Sequence, residues 1–210
     1  MDKNSIDYKA AEAFVKENKQ EYDALVRRFV AADASLTTEE LAKAYYASPF
    51  AGHKPLSDLL DTANRLYRIR DYRVAYYMYR DALECDPLSL LVLKKAANCC
   101  YFAVIDRDAT AALRSRVKML QDVILATGDG ATAQSPIRVV KTSDAYQVLW
   151  EAVGVKDVLS CKVVAEENGE SVDELLVQVR DEKEPRKVYV ACLGESEDDR
   201  ADFFIRKKGF

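Results

Sequence analysis

A 34-residue offset runs through the middle of the chain, relating Leu59 to Leu93, Ala63 to Ala97, Asn64 to Asn98, Tyr67 to Tyr101 and Ala75 to Ala109. A period of this length means that each unit is a supersecondary element unable to bury its apolar face alone, so that neighbouring units must stack to share a core. Two helices and their turns fit the period. The offset therefore restricts the centre of the chain to paired helices, and it points to a surface that holds another protein rather than to a reaction.

The flanking patterns extend the helical reading. Phe14, Val15, Tyr22, Leu25, Val26, Phe29 and Val30 recur near helical spacing and predict one long helix over residues 7–32. Thr37 and Glu40 form a capping box, in which hydroxyl and carboxylate each satisfy a free backbone N–H, ahead of a short helix with Leu41, Ala44 and Tyr45. Two prolines and a glycine make residues 48–55 a loop. The repeat helices are expected at about 56–69 and 72–85, then from about 90 and on to about 126 after a turn at Asp106-Arg107-Asp108. Within the second of these helices, Ala75 and Ala82 are small, Tyr79 is large and aromatic, and Pro87 closes the unit.

After Gly128-Asp129-Gly130 the pattern turns to period 2. Ile137–Thr142 reads as a strand, and Ser143 is placed to cap a helix carrying Tyr146, Leu149, Trp150 and Val153. Alternation at Leu159, Cys161, Val163 and Ala165, again at Leu175, Val177 and Val179, and runs at Val188–Leu193 and Phe203–Ile205 supply further strands. Asn168-Gly169 is hairpin chemistry. The expected fold class is α+β: a helical repeat region over 1–127, with units at about 56–89 and 90–126, and a small, mostly antiparallel sheet module carrying one helix over 128–210.

Composition narrows the function classes. The chain has 210 residues, 49% hydrophobic and 31% charged, with a formal net charge of −4, which gives no global attraction to nucleic acid or anionic membrane. No segment approaches the roughly 20 apolar residues that span a bilayer, and the first residues lack a secretory pattern, so a cytoplasmic location is expected. Five cysteines without a CxxC, and a single histidine, give neither a disulfide framework nor zinc spacing; the thiols are expected as small buried hydrophobes. No cofactor motif is present. Glu195, Glu197, Asp198 and Asp199 lack the spacing of a calcium loop and read as a solvated turn. His53 sits in the Pro/Gly loop without a local nucleophile motif.

The segment Asp71–Pro87 closely resembles the second helix of a tetratricopeptide repeat. That resemblance implies that the first helix of each unit lines a concave groove, placing Leu60, Asn64, Tyr67 and Arg68 there from one unit and Lys94, Asn98, Tyr101 and Phe102 from the next. In one subclass, lysine and asparagine side chains clamp a partner's terminal carboxylate, and Asn64, Lys94 and Asn98 occupy corresponding positions; charge-assisted hydrogen bonds suit that task. Leu60 stands where a first-unit lysine belongs. The plainer role for both asparagines is to bridge helices within the repeat. Tyr72, Tyr76, Tyr77 and Tyr79 crowd the same unit with Arg65, Arg68, Arg70, Arg73 and Arg80. These residue types dominate protein interfaces and also bind single-stranded nucleic acid, but interspersed acidic residues favour a protein partner.

Two further stretches are similar to a bacterial family known only as a domain of unknown function. One is Tyr22-Asp23-Ala24-Leu25, Arg28-Phe29, Leu36–Leu41 and Tyr45-Tyr46. The other is Gly128-Asp129-Gly130, Ser135-Pro136, Val139-Val140 and Ser143–Leu149. The resemblance implies a helical N-terminal part, a β-rich C-terminal part, no established activity and frequent export. The expected function is thus non-catalytic binding of a protein or peptide in the repeat groove, with candidate residues Asn64, Tyr67, Arg68, Lys94, Asn98 and Tyr101. The alternative is a small-molecule-binding or hydrolytic site between helices and sheet, which a closed pocket around His53, Tyr45 and Tyr46 would favour.

Overall fold

The structure, a computed structural model, describes residues 6–52, 56–167 and 170–193. His53, the Asn168-Gly169 turn, the acidic run Glu195–Asp199 and the strand expected at Phe203–Ile205 lie outside the described residues. The described residues divide into two compact units, one within 10–120 and the other formed by 6–9 together with 121–193. The architecture is α+β, with helices first and a four-stranded sheet after them.

The helices of the first unit are α1 (Tyr8–Glu17), α2 (Lys19–Val30), α3 (Thr38–Ala47), α4 (Ser57–Arg68), α5 (Tyr72–Cys85), α6 (Leu90–Phe102) and α7 (Arg107–Leu125), of which α1 and α7 extend past its boundaries. The single helix expected over 7–32 is two. Asn18 leaves helical geometry at φ −124° and ψ 40°, and the run from Lys16 to Glu21 contains no apolar side chain to anchor that turn in a core. The capping box forms as expected: the Glu40 amide donates to Thr37 Oγ1 at 3.2 Å, and the Thr37 amide donates to Glu40 Oε2 at 2.8 Å. Between α3 and α4, Ser48–Phe50 makes one 3₁₀ turn.

The four repeat helices fall where the spacing puts them. Ala63, Ala75, Ala82, Leu93 and Ala96 are inaccessible to solvent, and Ala97 nearly so; the small alanine side chains let packed helices approach closely. Tyr79 is fully buried among them. The offset also governs the backbone. Arg70 and Val104, 34 residues apart, both adopt left-handed geometry at φ 64° and 49°. Each is followed by the same wide hydrogen bond, Asp71 N–H to Leu66 O and Ile105 N–H to Cys100 O, at 3.0 and 3.1 Å. This is the Schellman closure that ordinarily employs glycine. One register slip interrupts the repeat: the capping aspartates are Asp71 and Asp106, 35 apart. Ala75 is accordingly fully buried while Ala109 is only half-buried, and Thr110 takes the interior place.

The second unit holds β1 (Ile137–Val139), α8 (Thr142–Val148), β2 (Val155–Glu167), β3 (Glu170–Val179) and β4 (Arg186–Leu193), in sheet order β1-β4-β3-β2. The β2–β3 and β3–β4 pairings are antiparallel and β1–β4 is parallel. The first strand is shorter than expected because Lys141 already occupies the N-cap of α8, which starts one residue before Ser143 and lacks a side-chain cap. A π-helical turn, Leu149–Val153, ends at Gly154 with φ 79°. The alternation read at Leu159–Ala165 does not mark an inward face: Leu159 is 51% exposed and Val158 is buried. Register shifts at Val155/Asp157, Val158/Ser160 and Val163/Ala165 change the phase along β2. Alternation in β3 holds, with Leu175, Val177 and Val179 inside.

Gly128 is required by space, since a Cβ there would stand 2.3 Å from the Pro136 carbonyl oxygen. Deeper in the unit, Glu170 accepts from Tyr8 Oη at 2.9 Å and pairs with Arg138 Nε at 3.2 Å, with the Arg138 and Glu170 side chains 5% and 9% exposed.

Candidate functional site

Lys94, Asn98 and Tyr101 are spaced i, i+4, i+7 along α6, and Leu60, Asn64 and Tyr67 are spaced likewise along α4, so each set shares one helix face. The two faces meet through side chains. Asn98 Nδ2 donates to Tyr67 Oη at 3.4 Å. Asn64 Oδ1 accepts from Tyr79 Oη at 2.8 Å and from Lys95 Nζ at 2.6 Å. Both asparagines thus bridge helices. The Asn64 amide NH2 has no partner among the described residues.

Lys95 is the residue that sequence reasoning missed. It is 8% exposed, and its ammonium lies 5.6 Å from the Tyr67 ring centre and 6.0 Å from that of Tyr79. An amide oxygen and two ring faces offset part of the cost of removing a cation from water. The signal was present: Lys94 and Lys95 are the only charges in LLVLKKAANCCYF. Adjacent positions face different directions, however, and the repeat resemblance selected Lys94. Burial raises the tyrosine hydroxyl pKa values of Tyr67 and Tyr79 and pushes the Cys99 thiol up to about 12, against the opposing pull of Lys95.

Arg68 and Tyr101 fall outside this cluster. Arg68 is exposed, and its Nε donates to the Asn64 carbonyl oxygen at 3.3 Å; Lys94 is half-buried. Tyr101, the counterpart of Tyr67, is 55% exposed. Tyr67 is covered because α5 and α6 supply Tyr72, Tyr79 and Asn98, whereas no further helix pair follows α7 in this unit.

Rings connect the cluster to the surface. Tyr79 meets Tyr67 at 6.4 Å, Tyr67 meets Tyr72 at 5.5 Å, Tyr72 meets Phe102 at 5.0 Å and Phe102 meets Tyr101 at 5.4 Å. The Arg114 guanidinium lies 4.7 Å over Tyr101. This outer end borders an open depression of about 1120 Å³ between the end of α6 and α7. Tyr45 and Tyr46, named in the alternative reading, are 0% and 1% exposed and pack edge to face.

Residues 9–167 match the family described as Domain of unknown function (DUF4919). The chain belongs to this family. The DUF4919 match takes in the four repeat helices and the depression, and stops at the end of β2. Neither the curated proteins nor the solved structures hold a match to the chain. Among the described residues no helix is long and apolar enough to cross a membrane.

Proposed function

We propose that this DUF4919 chain is a non-catalytic protein- or peptide-binding module that uses the α4–α6 face. The supporting observation is the arrangement around Asn64. Its amide oxygen is held by Tyr79 and Lys95, so the amide plane is fixed while its NH2 has no partner among the described residues. A pre-oriented amide donor, on a helix bonded through side chains to the one that carries Lys94, suits a carboxylate, either a terminal one or an aspartate or glutamate side chain. Preorganisation lowers the entropy lost on binding.

The test is retention of short peptides, with free and with amidated C termini, by the intact protein. Asn64 is a poor position to mutate because its oxygen serves two scaffold bonds, so Lys94→Ala/Asn98→Ala, in which Asn98 gives up one 3.4 Å bond to Tyr67, is the informative variant. A loss of about tenfold or more in affinity supports the reading, that being the scale of one charge-assisted contact. Equal retention by variant and wild type sinks it. Preference for the free C terminus identifies the terminal carboxylate as the ligand.

A further inference from the structure

The depression between α6 and α7 is lined by exposed apolar and cationic side chains. Tyr101, Phe102 and Val104 are 55%, 54% and 80% exposed. Val104 is also left-handed at φ 49°, a conformation that a β-branched side chain disfavours. Arg107, Arg114 and Lys118 line the same space. Asp106 is its single acidic lining residue, and that carboxylate is already engaged, accepting the Ala109 N–H at 2.9 Å. Arg107 and Arg114 form no salt bridge among the described residues. The N-terminus of α7 adds the positive end of its dipole.

We propose that this groove docks an acidic segment of a partner protein bearing aromatic or large aliphatic side chains. Its carboxylates pair with Arg107 and Arg114, while its apolar side chains seat against Tyr101, Phe102 and Val104. Charge decides the occupant. Arg107 and Arg114, without salt bridges among the described residues, face one engaged carboxylate, so a ligand with several carboxylates relieves a local excess of positive charge, and guanidinium groups hold carboxylates in bidentate geometry. A second copy meeting through this patch would set like charges against each other across a two-fold axis. Aromatic rings and arginines also stack bases, but the aliphatic Val104, Ile105 and Ala111 in the lining offer no stacking face.

The experiment measures binding of the full chain to three labelled probes: short peptides built from Asp/Glu with Phe/Leu, their charge-reversed Lys/Arg counterparts, and an oligothymidine strand. The acidic peptides are expected to bind, with affinity falling as salt rises, and Arg114→Glu, on an exposed position, is expected to weaken them about tenfold or more. Val104→Gly is expected to raise the unfolding midpoint by releasing the left-handed valine, and to weaken peptide binding; a purely structural valine gives only the first effect. Lys94→Ala/Asn98→Ala leaves this binding unchanged, which separates the groove from the α4–α6 face. The proposal is overturned if acidic peptides fail to bind, bind Arg114→Glu equally well, or bind less well than the charge-reversed set or the oligothymidine. It is also overturned if solution mass shows a dimer that Arg114→Glu dissociates.

Discussion

Asn64 and Lys95 carry unequal weight although they share a hydrogen bond. Asn64→Ala removes the acceptor of the buried Tyr79 hydroxyl and of the Lys95 ammonium, and a loss of about 1–3 kcal/mol is expected in denaturant unfolding. Lys95→Met removes a buried cation and leaves Tyr79 bonded, so stability is expected to change by no more than about 1.5 kcal/mol in either direction. A larger loss for Lys95→Met than for Asn64→Ala would show that the ammonium, not the amide, organises the cluster. The thiols divide in the same way. Cys99 is fully buried and held protonated up to about 12, so the native protein at pH 8 is expected to react with iodoacetamide at Cys85 and Cys161, which are partly exposed, and not at Cys99. Peptide mapping after labelling checks this. At this scale the sequence located Asn64, Tyr67 and Asn98 through their spacing. It did not reveal Lys95, because which of two adjacent lysines turns inward depends on the helix phase fixed by tertiary packing.

The helices themselves were legible to within a residue or two wherever apolar spacing ran unbroken, as in α4, α5 and α6. The interruption at Asn18 and the shifted phase of β2 were not. The first is a local conformational choice in a polar stretch, and the second arises from extra residues that only strand pairing reveals. Nor could the left-handed closures at Arg70 and Val104 be read, since neither is the glycine that usually marks them. The junction of α2 and α3 gives a prediction with a definite sign. Arg28 pairs with Asp33 at 2.9 Å and with Glu40 at 2.7 Å. Hydrogen bonds from Ser35 and Arg28 hold the Asp33 carboxyl at about 2, and those from Arg28 and Thr37 hold Glu40 at about 2. Both folded values lie below the ordinary carboxylate range, so the stabilisation is complete above that range and is lost as pH falls through it toward 2. Unfolding midpoints measured over this window are expected to fall more steeply for the wild type than for Arg28→Met. Parallel profiles would mean that the junction contributes nothing to acid sensitivity.

For the molecule as a whole, the α+β class and the order of helices before strands followed from the change in periodicity near residue 128. The meeting of Tyr8 with Glu170 did not, because sequence periodicity carries no record of which distant segments meet. The helical unit is built from contacts between neighbouring hairpins, and the β2–β3 and β3–β4 pairings are hairpins too, whereas the parallel β1–β4 pairing joins distant residues, Ile137 to Val190. Local contacts close with less loss of chain entropy and form sooner. Pulse-labelling hydrogen exchange during refolding is therefore expected to protect amides of α4, α5 and α6 before those of β1; simultaneous protection would indicate a single cooperative nucleus.

The hydrogen bond from Tyr8 to Glu170 spans 162 residues, and it has a consequence for synthesis. On the ribosome, Tyr8 emerges 162 residues ahead of Glu170 and must wait for that partner while the intervening segment is made. The inserted helices of residues 10–120 are complete long before then and can fold vectorially, in order of appearance. Closure of the contact between Tyr8 and Glu170 therefore follows the folding of the intervening helices, and a nascent chain halted before residue 170 would retain its hairpins while Tyr8 waited for a strand that had not yet been translated.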